Sequence, residues 1–156
     1  MQQDAFQRIM RAQADYVRCI DQDRLEAWPD FFTEDCFYKI TSAENHRLGM
    51  EAGLVWADNR RMLQDRASAL RNANIYERQA YRHMLGQPWV AEETESGAVA
   101  ETAFMVLRIT RDGPTDLFAS GVYLDRYRFE AGATLLAERV VVLDSSRIDT
   151  LLALPL

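Results

Sequence analysis

The 156-residue sequence holds four thiol or imidazole side chains, Cys19, Cys36, His46 and His83, and their spacing limits what they can do. An iron–sulfur centre with mixed imidazole and thiolate ligands would need all four at one cluster. The residues two and three after Cys19 are Asp21 and Gln22, and those after Cys36 are Tyr38 and Lys39. No histidine follows a cysteine at ligand spacing, so no such cluster is expected. A two-histidine, one-carboxylate iron site would have to join His46, in a polar loop, to His83, in a predicted strand. These spacings predict no metal on this chain, and nothing in the sequence names a cofactor.

His83 is the best candidate for proton transfer, since imidazole titrates near neutral pH and a carboxylate such as Asp30 or Asp58 could orient it. The competing reading is a strand histidine held in a structural or interface network with Asp65, Arg66 and Arg82. Tyr16, Tyr38 and Tyr123 could line a pocket or serve as core aromatics with satisfied hydroxyls. Trp56 and Trp89 sit beside predicted loops, where an aromatic anchors a protein interface as readily as it plugs a core. There is no phosphate-cradling glycine loop, no Gly-x-Ser-x-Gly elbow and no zinc-spaced set.

The elements that must position these residues centre on a hairpin. Phe104-Met-Val-Leu-Arg-Ile109 and Phe118-Ala-Ser-Gly-Val-Tyr-Leu124 flank the turn-forming Arg111-Asp-Gly-Pro-Thr-Asp116. Apolar residues occur on both parities of the second arm, which predicts a sheet covered on both sides, and Gly121 suggests a bend or bulge. Upstream, Phe6, Ile9, Met10, Ala14, Val17 and Ile20 mark one stripe of a four-turn helix. Asp23 offers an N-cap to a second helix interrupted by Pro29, Cys36–Thr41 reads as a strand, and Ser42–Gly53 reads as a loop or edge strand. A third helix, capped by Asp58 or Asn59, turns Met62, Leu63, Ala67 and Leu70 inward. Tyr81–Leu85 and Trp89–Ala91 are extended around Gly86-Gln-Pro88, and Thr134–Leu143 is the last strand. An apolar tail, Leu151–Leu156, ends the sequence.

Helices segregated from a strand meander give an α+β fold, expected as one domain over residues 1–156 with a curved antiparallel sheet wrapped around the first helix. The net charge of −6 argues against a nucleic-acid partner, because the six arginines between Arg60 and Arg82 are interleaved with acids. All 18 basic residues but Lys39 are arginine. Its planar fork suits buried or interfacial ion pairs, although codon bias gives the same usage. No apolar run approaches a membrane span and no signal-peptide core opens the sequence, so no membrane contact and a cytoplasmic location are expected. Cys19 and Cys36 are expected as reduced, buried thiols.

Several stretches carry a resemblance. Trp28-Pro-Asp-Phe-Phe-Thr-Glu-Asp-Cys-Phe-Tyr, Gly53-Leu-Val-Trp-Ala-Asp-Asn, Met62-Leu-Gln-Asp-Arg, Tyr81-Arg-His-Met-Leu, Phe118-Ala-Ser-Gly-Val-Tyr-Leu-Asp and the ending Asp149-Thr-Leu-Leu-Ala-Leu-Pro-Leu resemble, in order and over nearly the whole chain, the small (β) subunit of aromatic-ring-hydroxylating dioxygenases. The resemblance implies a cystatin-like cone, the shape of nuclear transport factor 2. It also implies a structural role beside a large (α) subunit that carries a Rieske 2Fe-2S cluster and a mononuclear iron. The expected partners are that subunit, in an α3β3 hexamer acting on an aromatic acid, and further copies of this chain as a trimer. Under it Asp65, Arg66, Arg82 and His83 are polar positions of a structural or interface network. The alternative is a stand-alone cone-fold isomerase or dehydratase using His83.

Overall fold

Asp4 opens the first helix by accepting the Gln7 N–H at 2.8 Å, satisfying one of the backbone donors that a helix start leaves free. The structure, a computed structural model, describes residues 4–51, 53–72, 79–146 and 155–156. Helix α1 is Ala5–Asp21, and its inward face is Ala5, Ile9, Gln13, Tyr16, Cys19 and Ile20. That face is rotated from the expected stripe: Phe6, Met10 and Ala14 are exposed and Val17 is half-buried. The rotation follows from what the sheet presents, since hydrogen-bonding groups there make Gln13 and Tyr16 better inward residues than Met10 and Ala14.

A 3-10 helix, Leu25–Phe31, includes Pro29 and has no side-chain cap; Asp23, expected as its N-cap, instead adopts a left-handed backbone at φ 59°. Strand β1, Phe32–Ser42, starts earlier than the predicted Cys36. The next segment is not the expected loop. Ser42 accepts the Asn45 N–H at 3.1 Å and caps a short helix α2, Ala43–Arg47. After β2, Val55–Ala57, Asn59 accepts the Met62 N–H at 2.9 Å and starts α3, Arg60–Asn72. Leu63 and Ala67 point into the core, Met62 and Leu70 pack against it, and Arg61 and Asp65 lie outside.

The remaining strands are β3 Gln79–Leu85, β4 Trp89–Glu93, β5 Gly97–Thr110, β6 Thr115–Glu130 and β7 Ala133–Leu143. Both β3 and β4 pair with β5, so Gly86-Gln-Pro88 interrupts one edge path. The sheet order is β2-β1-β7-β6-β5-β3, with β4 also on β5. It is a mixed sheet rather than the wholly antiparallel one expected, because β1 and β7 run parallel. A parallel pair needs a long crossover, and here it runs from α2 through β6.

Register shifts at Val106/Leu107 and Arg126/Tyr127 mark the bulges that curve the sheet. Gly121 is not one of them. It stays in register, and a Cβ there would run into the Val142 carbonyl, so close strand approach is what demands glycine. Between β6 and β7, Ala131 and Gly132 both have positive φ, 45° and 84°, the two-residue loop whose twist matches a hairpin. Along β6, Gly121, Tyr123, Asp125 and Tyr127 face inward, while Val122 and Leu124 remain partly exposed; the outer face is less covered than the sequence suggests. Cys19 and Cys36 are free and buried. Among the described residues no helix is long and apolar enough to cross a membrane.

Candidate functional site

The concave side of the sheet collects the polar groups. Successive inward positions of β6 carry Tyr123, Asp125 and Tyr127, and the β6–β7 register sets Asp125 opposite Arg139. Arg139 donates from Nε and Nη2 to the two Asp125 oxygens, each at 2.8 Å, and both residues are buried. The Tyr127 hydroxyl donates to Asp125 at 3.0 Å, and Gln13 of α1 donates to the Thr102 hydroxyl at 2.8 Å and to Tyr127 at 3.3 Å. The guanidinium carbon also lies 3.9 Å from the Tyr123 ring centroid and 4.4 Å from that of Tyr16. Trp28 Nε1 donates to the Tyr16 hydroxyl at 2.9 Å. Leu156 completes the filling: its carbonyl accepts from Tyr16 at 3.0 Å and Tyr38 at 3.1 Å.

The electrostatics of this interior oppose proton transfer near neutral pH. Burial pushes the Tyr16, Tyr38, Tyr123 and Tyr127 phenols above their usual value, so all four stay protonated. Burial alone would lower the Arg139 value, but the Asp125 carboxylate outweighs it and holds the guanidinium charged. The cavity bounded by Ala12, Gln13, Tyr16, Phe31, Tyr127, Thr134, Leu136 and Arg139 measures about 10 Å³, room for no more than one water.

His83 lies on β3, where its ring is fully buried and Nδ1 donates to Asp21 Oδ1 at 2.6 Å. The His83 backbone N–H donates to the other Asp21 oxygen at 2.9 Å. A carboxylate only accepts, so the pair fixes the proton on Nδ1. Nε2 has no hydrogen-bond partner. The orienting acid is Asp21, at the end of α1, and not Asp30 or Asp58. The network expected around His83 is not drawn together at its ring: Asp65 is exposed on α3, Arg66 is half-buried on α3, and Arg82 is exposed on the opposite side of the β3 pleat. Trp56 and Trp89 are 48% and 64% exposed, with Trp56 edge-on to Phe37.

Gln13, Asp21, Asp125, Arg139 and Leu156 were not singled out by the sequence reading. Asp125 had a signal, since it shares the parity of Tyr123 and Tyr127. For metal chemistry the donor set does not fit: Cys19 Sγ contacts the Arg24 carbonyl, Cys36 is on β1, and burial pushes its thiol up to about 11. His46 is exposed on α2. Among the described residues no group of three or more His, Cys, Asp or Glu side chains could hold an ion.

With this geometry in place, the chain can be set beside known proteins. Residues 4–140 match the SnoaL-like domain. The β subunit 1 of the terminal oxygenase component of terephthalate 1,2-dioxygenase from Comamonas sp. is 51% identical over 149 residues, covering 96% of this chain and 97% of that one. The anthranilate 1,2-dioxygenase small subunit of Burkholderia cepacia is 40% identical, covering 95% and 92%. A solved structure, the β subunit of a candidate aromatic-ring-hydroxylating dioxygenase from Novosphingobium aromaticivorans, superposes with a TM-score of 0.90 at 36% identity, covering 97% of each chain. The chain belongs to the small-subunit family of the aromatic-ring dioxygenases.

Proposed function

We propose that this chain is a non-catalytic, structural small subunit of an aromatic-acid dioxygenase, with terephthalate as the substrate of the complete complex. The observation that carries the reading is the end-to-end identity with the Comamonas terephthalate dioxygenase β subunit. The closed interior supports it, because phenols locked in their protonated form and a cavity of about 10 Å³ leave no room for an aromatic substrate beside Arg139. Large-subunit partners would carry the Rieske 2Fe-2S cluster and mononuclear iron, in a cytoplasmic α3β3 assembly built on a trimer of this single-domain chain.

The exposed apolar side chains suit such contacts. Leu48, Met50, Leu54 and Trp56 form one stretch, and Met84 and Met105 are exposed cross-strand partners on β3 and β5, with Trp89 on β4. Co-expression with an aromatic-ring dioxygenase large subunit should yield a complex whose mass, by native mass spectrometry, fits equal copies of the two. Iron, acid-labile sulfide and terephthalate-dependent oxygen uptake should follow the large subunit. Turnover by this chain purified alone would overturn the reading. The rival, an isomerase or dehydratase centred on His83, has the Asp21–His83 pair in its favour, and a His83→Ala complex that keeps full oxygen uptake removes it.

A further inference from the structure

Leu156 is fully buried although it belongs to neither a helix nor a strand. Its backbone is held by side chains instead of a ladder. The carbonyl accepts from the Tyr16 and Tyr38 hydroxyls at 3.0 and 3.1 Å, and its N–H donates to Tyr38 at 3.2 Å. These hydroxyls come from α1 and β1. Trp28 donates to the Tyr16 oxygen at 2.9 Å, which directs the Tyr16 proton to the Leu156 carbonyl.

The Tyr16 ring that reaches Leu156 also lies under the Arg139 guanidinium, whose carbon is 4.4 Å from its centroid and 3.9 Å from that of Tyr123. Two donors in that cluster are buried with no hydrogen-bond partner: the Tyr123 hydroxyl and Arg139 Nη1. The acceptors there are committed, since both Asp125 oxygens already receive Arg139 and one of them also receives Tyr127. The surroundings therefore have donors to spare, with aromatic walls from Trp28, Phe32 and Tyr38 packed edge to face. The Leu156 carbonyl satisfies the Tyr16 and Tyr38 donors and leaves the Tyr123 hydroxyl and Arg139 Nη1 unpaired.

We propose that the interior of the cone is a binding site for a small apolar carboxylic acid, occupied in this chain by its own Pro155–Leu156 segment. A carboxylate brings two oxygens that only accept, matching a cluster with unpaired donors, and an apolar body that replaces the Leu156 side chain against the aromatic walls. An alkylammonium of the same size brings donors to a site that already has too many, and is refused. The proposal concerns this chain's interior and stands apart from the assembly reading.

The test compares the full chain with a chain stopped after residue 154, each titrated calorimetrically with 4-methylpentanoate, benzoate and, as the cation control, 4-methylpentylamine. The full chain should bind none of them. The shortened chain should bind the two carboxylates one to one and not the amine, and adding Tyr38→Phe should weaken binding about tenfold, as expected for losing one charge-assisted hydrogen bond. No carboxylate binding by a folded shortened chain, equal binding by the full chain, or equal binding of the amine would each overturn the site. If the shortened chain does not fold, Leu156→Gly in the full chain replaces it. Benzoate should then raise the melting temperature of that variant and leave the unaltered chain unmoved, and no rise overturns the proposal.

Discussion

Arg139 and Arg71 make the same kind of contact in opposite surroundings. Arg139 forms a two-pronged pair with Asp125 where neither side chain reaches solvent. Arg71 reaches both Asp23 and Glu26, but its side chain is 33% exposed and theirs are 67% and 66%. Outside, water screens the charges and the contacts contribute little. Inside, neither charge can be left without the other. The contrast separates the two halves of the molecule's task. The interior pairs its polar groups with one another, while Trp56, Trp89, Met84 and Met105 are exposed.

The largest effect should come from breaking the inner pair. Arg139→Ala leaves Asp125 buried and unpaired and should cost about 3–5 kcal/mol, read as a lower urea midpoint. Replacing both partners, Asp125→Leu with Arg139→Met, should recover much of that loss, which would show that the penalty lies in the orphaned charge. Next comes alkali. The Tyr16, Tyr38, Tyr123 and Tyr127 values are raised in the folded state, so the folded chain holds these protons more tightly than the unfolded one. Their contribution is intact below the unfolded phenol value of about 10 and falls as pH rises beyond it, by about 1.4 kcal/mol per pH unit for each phenol. Phenolate absorbance from these four should therefore appear together with unfolding and not before it.

On the outer side, Trp56→Ala and Trp89→Ala should leave the melting temperature nearly unchanged and weaken association, seen as a shift of mass in sedimentation or native mass spectrometry. Association unchanged in both variants would remove these residues from the contact surface. The smallest effect belongs to Arg71→Ala, expected at about 0–1 kcal/mol and fading further with added salt.

How much of this was legible in the sequence depended on the range of the interaction. The four-turn first helix, a cap for α3 at Asp58 or Asn59 and the β5–β6 hairpin were legible because each is settled within a few residues. The inward face of α1 was misjudged because apolar spacing alone cannot show that Gln13 will meet Thr102 and Tyr127, far away in the chain. The role of Asp21 needs His83, brought alongside only when β3 packs near the end of α1. Arg139 sat unremarked in an apolar strand, and its partner Asp125 is fixed by cross-strand register. A curved sheet around α1 was expected from helices segregated from a strand meander, but the bulges at Val106/Leu107 and Arg126/Tyr127 that curve it were not placed, because no local pattern announces them. Of the apolar tail at 151–156, only residues 155 and 156 lie within the described residues, as does none of the run at 147–150.

The parallel pairing of β1 with β7 joins Tyr38 to Arg139, about two thirds of the sequence apart. Such a contact of high sequence separation forms late, because its loop-closure entropy must be met before any bond repays it. On a ribosome the middle of the sheet waits for the last strand to emerge. A nascent chain cut short before β7 therefore lacks the strand that joins β1 and β2 to the rest of the sheet.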